Sequence, residues 1–407
     1  MLKEVKLNQA IRYADNDPIE DWLNKLLLLD ATQADMISTG YPNPEDLELF
    51  KVNRDTLFSF HKASENFLRK LMSLFVSSHY KNSPNDLQLL SDAPSHSVFV
   101  LMKPLEKNDS ESKKALPDIF AAIQVCEEGG ISKDVILNNN KRGFKPAGDL
   151  IPWTISDFYQ DNEFPNLGGI RVVRIATHPE CNRMGYGTRA IQLLTEFYEG
   201  KIINLNEEEV AVENIDKDEN KININKNNIV NKNDKNKEIL MKEEIKPKKK
   251  LRPLLSKLQD IKPPEVFYIG TAFGLTKELF SFWRKNDFFP FYVKMTENDI
   301  TGEHTCILIK PLKDDDIKFN MEMNTNSLTE ASGKLKWLAP FYQDFKKRLI
   351  SLLGFEFRSL PINLALSILE PALTSSTNNE ADDANNNLDT IKIDSSLKLV
   401  IKIILIF

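Results

Sequence analysis

Cysteine is scarce: Cys126, Cys181 and Cys306 are the three in 407 residues, far apart and without a CxxC pair. That argues against a disulfide-stapled scaffold and a cysteine-based zinc site, and it fits a reducing compartment. There is no apolar run of the roughly 20 residues that a membrane-spanning helix needs. The apolar end at 397–407 is 11 residues long and carries Lys398 and Lys402. Residues 1–7 are charged and lack the apolar core of a secretion signal. No GxxxxGK[ST] phosphate-binding loop occurs. Neither charge sign dominates, with 53 Lys+Arg against 59 Asp+Glu and a formal net charge of −6. This excludes a wholesale nucleic-acid coat but leaves room for local basic patches.

What is present is ordinary globular composition, 41% hydrophobic, 28% charged and 9% aromatic, enough for a substantial core. The length allows roughly two to three domains. Apolar residues at spacings of three and four predict a helix over 54–81, ended by a polar turn in which Pro84 blocks continuation. The apolar runs 97–102 and 119–126 predict two strands joined by a polar loop at 104–118. Residues 149–165 read as a mixed aromatic loop or short helix, and 170–176 as a strand with Arg171 and Arg174 interleaved. A helix over about 188–199 follows, closed by Gly200. The segment 201–250 holds 12 Lys, 11 Asp+Glu and 11 Asn with no aromatic, a low-complexity insertion that is expected to be disordered. Strands are expected at 266–270, 288–293 and 304–309, a helix capped by Thr276 up to Lys285, and another over 338–353. Residues 313–333 and 374–390 read as polar, and the latter as disordered.

The chemistry-bearing element is the strand–turn–helix at 170–194. Its turn holds Gly185-x-Gly187 directly before the helix, where glycine lets backbone approach an anion. The first helical turn then offers unpaired N–H groups and the positive end of the helix dipole to a pyrophosphate. Thr188 adds a hydroxyl, and Arg183 and Arg189 add charge. The dinucleotide fingerprint is incomplete, because position 190 is Ala. On spacing alone a purely structural βα turn is as good a reading.

The segment resembles the coenzyme A signature of GNAT acetyltransferases, [Arg/Gln]-x-x-Gly-x-[Gly/Ala]. More closely, RVVRIATHPECNRMGYGTRAIQLLTEFYEG (171–200) is similar to the RNA cytidine acetyltransferases. Further similar blocks lie at 52–94, 148–156, 268–293, 298–312 and 341–353, in the family's order. The resemblance implies an α/β (α+β) fold: a GNAT-type mixed, splayed sheet flanked by helices, with a C-terminal helical RNA-binding part. It implies a residual helicase-module or linker segment at 1–50 and an acetyltransferase domain at 51–312, interrupted by 201–250. A helical RNA-binding part would start at 313–371, and 372–407 would form an atypical or disordered tail. The ATP-driven helicase module of larger members would be missing, so the chain reads as a fragment. By position, the resemblance places acetyl-coenzyme A contacts on Ile175, Ala176, Thr177, Asn182, Arg183, Met184, Gly185, Tyr186, Gly187 and Thr188. A late basic contact falls on Lys285. Asn182 stands in place of Gln or Arg, and Lys285 in place of Arg, which loses bidentate phosphate geometry.

The implied activity is N4-acetylation of cytidine in rRNA and tRNA, in the nucleus and nucleolus. Adaptor or ribosome-assembly proteins, or a second copy of the chain, would be partners. A protein or small-amine acetyltransferase, or a non-enzymatic RNA-binding fragment, are the competing readings. Acyl transfer to a weakly nucleophilic amine needs an oxyanion donor and a route for a proton. A backbone N–H near Ala176–Thr177 is the expected donor. His79, in a polar cluster with Tyr80, Lys81 and Asp86, is the first candidate for proton transfer. His178 and His304 follow, ahead of His61 and His96. No metal site is expected. Lys246–Arg252 and the helix 338–353, with Lys334, Lys336, Lys346, Lys347 and Arg348, are candidate phosphate grips. Trp337, Phe341 and Tyr342 are candidate stacking platforms.

Overall fold

The computed structural model describes residues 11–38, 40–79, 82–104, 117–143, 146, 148–202, 252–312 and 337–369. Nearly all of the low-complexity stretch 201–250, most of the 104–118 loop, 313–333 and the tail from 370 lie outside them, as do Tyr80 and Lys81.

The chain runs α1 (Pro18–Leu27), β1 (Glu48–Val52), α2 (Arg54–Leu57), α3 (Lys62–Ser78), α4 (Pro84–Asp92), β2 (His96–Met102), β3 (Ala121–Glu128), α5 (Lys133–Arg142) and α6 (Leu150–Tyr159). It continues with β4 (Gly169–Thr177), α7 (Tyr186–Tyr198), β5 (Leu255–Lys257), β6 (Tyr268–Gly274), α8 (Lys277–Lys285), β7 (Phe289–Glu297) and β8 (His304–Pro311). The helices α9 (Ala339–Leu352) and α10 (Ile362–Leu369) close the described chain.

The single helix that the spacing predicts over 54–81 is broken in two. Ser59 Oγ donates to the Thr56 carbonyl, Phe60 adopts φ 60°, and the His61 ring accepts from the Ala63 N–H. These local bonds satisfy both helix ends, so the break costs little. Pro84 does more than block continuation. It occupies the first turn of α4, where its missing N–H is no loss, and the Asp86 carboxylate accepts from the Ser83 N–H at 2.8 Å.

The strands form one mixed sheet in the order β5-β1-β2-β3-β4-β6-β8-β7. Alternation sends Val98, Val100 and Met102 to one face and Phe99 and Leu101 to the other. The first face packs under α3 through Phe67, Leu71 and Phe75. The second packs under α6 and α7 through Ile151, Ile155, Ile191 and Leu194. With both faces covered, these strands read as unbroken apolar runs in the sequence.

The centre of the sheet holds its one described parallel pairing. β4 and β6 pair from Gly169↔Tyr268 to Val172↔Thr271 and no further. Beyond that point β4 stays with β3 as far as Thr177↔Ala121, and β6 stays with β8 as far as Gly274↔Thr305. The register of β3 on β4 shifts between Gln124↔Arg174 and Val125↔Val172, leaving Val173 as an extra residue. A bulge increases local twist and bends its strand. The two halves of the sheet therefore part where the bulge sits.

The C-terminal helix α9 joins this same core. Tyr159 Oη donates to the carbonyls of Phe291 (2.7 Å) and Phe341 (3.2 Å). Phe164, Phe291 and Phe341 pack around them with ring centroids 5.2 to 6.0 Å apart.

Gly169 lies under the ring of its pair partner Tyr268, and a Cβ there would fall on that ring. Gly169→Ala is expected to lower stability by roughly 1–3 kcal/mol in urea denaturation, through overpacking of the β4–β6 junction. Gly354→Ala, which meets nothing within 4 Å, serves as the comparison and should change stability by less than about 0.5 kcal/mol.

Candidate functional site

The parting of β4 from β6 leaves one edge of β4 without a strand. His178 N–H donates to the Phe120 carbonyl, so Ala176 and Arg174 also direct their backbone groups toward β3. By the same alternation Ile175 and Thr177 direct theirs into the gap. Of the two expected positions, Thr177 turns its N–H into the gap, whereas the Ala176 N–H faces β3. An extended ligand in the gap would meet these groups as a neighbouring strand would.

At the end of β4 the chain turns through a 3₁₀ segment, Pro179–Cys181, and enters α7. Thr177 Oγ1 donates to Asn182 Oδ1 at 3.1 Å, tying the strand end to the turn. Two residues of the turn sit in the left-handed region, Arg183 at φ 64° and Gly185 at φ 91°. Glycine carries that conformation without steric cost, whereas arginine does not. The first helical hydrogen bond runs from Arg189 N–H to the Gly185 carbonyl at 3.0 Å. The N–H groups of Tyr186, Gly187 and Thr188 are therefore free of helical partners and point out of the positive end of α7. A Cβ at Gly187 would lie 3.2 Å from Thr177 Cγ2 and 3.4 Å from Phe282. Absence of a side chain there lets the helix start, the strand end and α8 meet at one mouth of the gap. Asn182, Arg183, Met184, Gly185 and Thr188 are exposed. Lys285, also exposed, lies three residues beyond Phe282 on the same helix face.

Two residues of the turn face elsewhere. The Tyr186 side chain is buried, stacked on Phe120, with its hydroxyl donating to the Pro42 carbonyl at 2.6 Å. It offers a backbone N–H but no side-chain contact. Arg189 pairs with the Glu45 carboxylate at 3.3 Å, so its charge is already committed. Cys181, beside the turn, is buried, and burial pushes its thiol up to about 11, which leaves no thiolate to act as an acyl acceptor.

The histidines separate by their surroundings. His178 Nε2 donates to the Asp35 carbonyl at 2.8 Å, and Nδ1 accepts from the Glu180 N–H at 3.3 Å. Both of its ring nitrogens are thus held by backbone, on the side of the turn that faces residue 35. His304 Nδ1 donates to the Lys294 carbonyl at 2.9 Å, and its ring packs on Phe357. Its Nε2, like that of His79, is buried without a hydrogen-bond partner, and lies 3.6 Å from the Glu297 carboxylate on β7. His61 is a helix cap, and His96 bonds Gln124. His79 differs in place: it ends α3, and its ring neighbours the Ile175 backbone, Arg174 and Asp86. Arg174 Nη2 and Asp86 Oδ2 form an ion pair at 2.8 Å, both side chains largely buried. Burial first, then the Arg174 charge, pulls the His79 imidazole down to about 4, against the opposing pull of the Ile175 backbone and Asp86. The ring is therefore neutral near pH 7, beside the Ile175 backbone at the edge of β4. The Arg174–Asp86 pair is what sequence reasoning missed. Arg174 was visible as an interleaved charge, but nothing local links it to Asp86.

The proposed RNA grips fare differently. Arg348 bonds Asp344 and the Phe158 carbonyl, and Trp337, Phe341 and Tyr342 are buried in the core. They are packing residues, which corrects their reading as stacking platforms. Of Lys246–Arg252 only Arg252 lies within the described residues, and its carbonyl accepts from Thr56. Lys334 and Lys336 lie outside them. Among the described residues no cluster of His, Cys, Asp and Glu could hold a metal ion, and no helix is long and apolar enough to cross a membrane.

The His79 environment has a measurable consequence. Its folded value lies below the unfolded 6.5, so between about 6.5 and about 4 the unfolded chain binds more protons. Stability from this group is complete above 6.5 and declines as pH falls through that window. An NMR titration should give a ring midpoint near 4, and Arg174→Met should move it upward.

Residues 70–313 match the family model described as GNAT acetyltransferase 2. Residues 337–400 match a possible tRNA binding domain, and 1–30 match the helicase domain of RNA cytidine acetyltransferase NAT10/TcmA. A protein of Dictyostelium discoideum named RNA cytidine acetyltransferase is 48% identical over 390 residues, 95% of this chain and 35% of that protein. Its Homo sapiens namesake is 45% identical over 369 residues, 91% of this chain and 33% of that one. RNA cytidine acetyltransferase 2 of Arabidopsis thaliana is 44% identical over 373 residues, 92% and 34% respectively. The chain thus spans about a third of the length of the curated relatives it matches. With a sheet that parts at its centre, a glycine-bearing helix start at the mouth of the gap and a family match over 70–313, the chain belongs to the GNAT acetyltransferase 2 family.

Proposed function

We propose that this chain carries the acetyl-transfer site of an enzyme that N4-acetylates cytidine in RNA, using acetyl-coenzyme A. The observation that carries the reading is the combination of a free β4 edge, three N–H groups without helical partners at the start of α7, and a neutral, half-buried imidazole at His79. The names of the relatives supply the substrate class, and the match at 337–400 supports an RNA partner.

The residues present fit the carrier. The backbone of Tyr186, Gly187 and Thr188 would hold its pyrophosphate, and Lys285 would add positive charge. Ile175 and Thr177 would bond its extended arm along β4. When bound, acetyl-coenzyme A supplies an acetyl group activated as a thioester. The Thr177 N–H then serves as oxyanion donor in the gap, and fixed backbone donors are most effective where water is excluded. His79 would accept the proton that the cytidine N4 gives up as its bond to the acetyl carbon forms, and would return it to the thiolate that leaves as the carbon–sulfur bond breaks. The Arg174–Asp86 pair holds the ring environment, and the Arg174 charge keeps the imidazole unprotonated before the reaction.

The reading extends to rRNA and tRNA as substrates, to the nucleus and nucleolus as the site of action, and to ribosome-assembly proteins, adaptors or a second copy as partners. ATP would act through the helicase domain, of which residues 1–30 carry a part.

Incubation with labelled acetyl-coenzyme A and RNA, followed by nucleoside mass spectrometry, should yield labelled N4-acetylcytidine. Label confined to lysines would establish a protein acetyltransferase instead, and coenzyme A binding without any product would leave a binding fragment. His79→Ala should lower the rate by roughly 10²–10⁴-fold while carrier affinity holds. Thr188→Glu places a carboxylate at an exposed position in the first turn of α7, which favours the helix and repels a pyrophosphate. Calorimetry should show carrier affinity about ten-fold weaker or worse with the melting temperature kept.

A further inference from the structure

Residues 35–38 and 40–46 precede the family match at 70–313, yet they are bonded on both sides of the turn that would hold the carrier, to His178 and Glu180 before it and to Tyr186 and Arg189 at the start of α7. Glu180, in the 3₁₀ segment between β4 and the turn, accepts from the Ile37 N–H at 3.3 Å and from the Tyr41 hydroxyl at 3.0 Å through the same oxygen, Oε2. The Asp35 carbonyl accepts from His178. The Pro42 carbonyl accepts from the Tyr186 hydroxyl at 2.6 Å. Glu45 takes Arg189 twice, carboxylate to Nη1 at 3.3 Å and carbonyl to Nη2 at 3.4 Å. At the other flank Ser38 donates its N–H and its hydroxyl to Asp118 at 2.9 and 3.0 Å. Pro44 packs so close that a Cβ at Gly185 would lie 3.5 Å from its Cγ.

These bonds share a geometry. Tyr186 and Arg189 are the first and fourth residues of α7, and Gly187 and Thr188 lie between them. The side chains of 186 and 189 point back to the strap, while the backbone N–H groups of 186 to 188 point out of the helix start. The strap thus grips the first turn from the side away from the ligand. Within the turn, Thr177 Oγ1 bonds Asn182 Oδ1 at 3.1 Å and the Met184 N–H bonds the Cys181 carbonyl at 3.3 Å, while Arg183 and Gly185 are in the left-handed region and 182–185 are exposed.

We infer that residues 35–38 and 40–46 are a working part of the carrier site, with Tyr186 and Glu180 as positioning residues that hold the N–H cradle in register for the pyrophosphate. This rests on the acetyl-coenzyme A reading above. It places the determinant of carrier affinity partly outside the acetyltransferase match, on the stretch of chain that joins it to the helicase-matched residues 1–30. Loss of the strap would loosen a binding surface without removing any group that touches the ligand, a second-layer effect that grows with the precision the site demands.

The test uses the full 407-residue chain, acetyl-coenzyme A by calorimetry, and RNA acetylation kinetics. Glu180 is exposed, so its truncation leaves the core intact. Glu180→Ala and Tyr186→Phe should each weaken carrier binding by roughly two- to ten-fold. KM for the carrier should rise in step, with kcat at saturating carrier and KM for RNA unchanged. Glu180→Gln keeps an acceptor oxygen for Ile37 and Tyr41 and should restore most of the affinity. If the wild type binds the carrier and both variants bind it equally well, the inference is overturned. It is also overturned if affinity and melting temperature fall together and Gln gives no rescue, since the strap would then only support the fold. A wild-type chain that binds no acetyl-coenzyme A would instead refute the functional reading beneath it.

Discussion

Backbone N–H and C=O groups must find partners, and on β4 beyond Val172 half of them find none in the sheet. The cause is the extra residue at Val173, which keeps β4 on β3 while β6 follows β8. One face of the strand is sealed by α3 and the other by α7, so an incoming ligand must run along the edge. The site is thus a place where the sheet declines to finish its own hydrogen bonding.

That unfinished edge sorts the polar residues around it. His178 and His79 both lie beside β4, yet the first is held at each nitrogen by backbone and the second keeps a buried nitrogen free. Burial lowers the basicity of His79, and the nearby Arg174 lowers it further, because a second positive charge in a drying pocket is costly. Asp86 compensates Arg174 at 2.8 Å, which makes the buried guanidinium tolerable. For the proposed acetyl transfer, such a weak base would suit an amine that becomes strongly acidic only once it has attacked a carbonyl.

The arginines show how little a charge census says about binding. Arg189 and Arg348 carry charge in regions expected to face phosphate, and both are spent on Glu45 and Asp344, as Arg174 of β4 is on Asp86. What faces the anion site is mostly backbone, which carries no signature in composition. The aromatic residues at 337–342 follow the same rule: side chains that look like stacking platforms are core when a sheet face lies beneath them.

The sequence by itself determined the local pieces: the strands expected at 97–102, 119–126 and 170–176, which the structure places at 96–102, 121–128 and 169–177, the glycine turn at 185–187, the Thr276 cap and the Gly200 stop. Each follows from periodicity or from a φ value that few residues accept. The polar cluster around His79 was also visible, as residues near one another in the chain. Only the tertiary structure decided which groups meet: Arg174 with Asp86 across 88 positions, Tyr186 with Pro42 across 144, and β4 with β6 for four residues and no more. Such contacts join elements far apart in the chain. Their energy depends on packing and on a single bulge, neither of which leaves a periodic mark in the residues themselves.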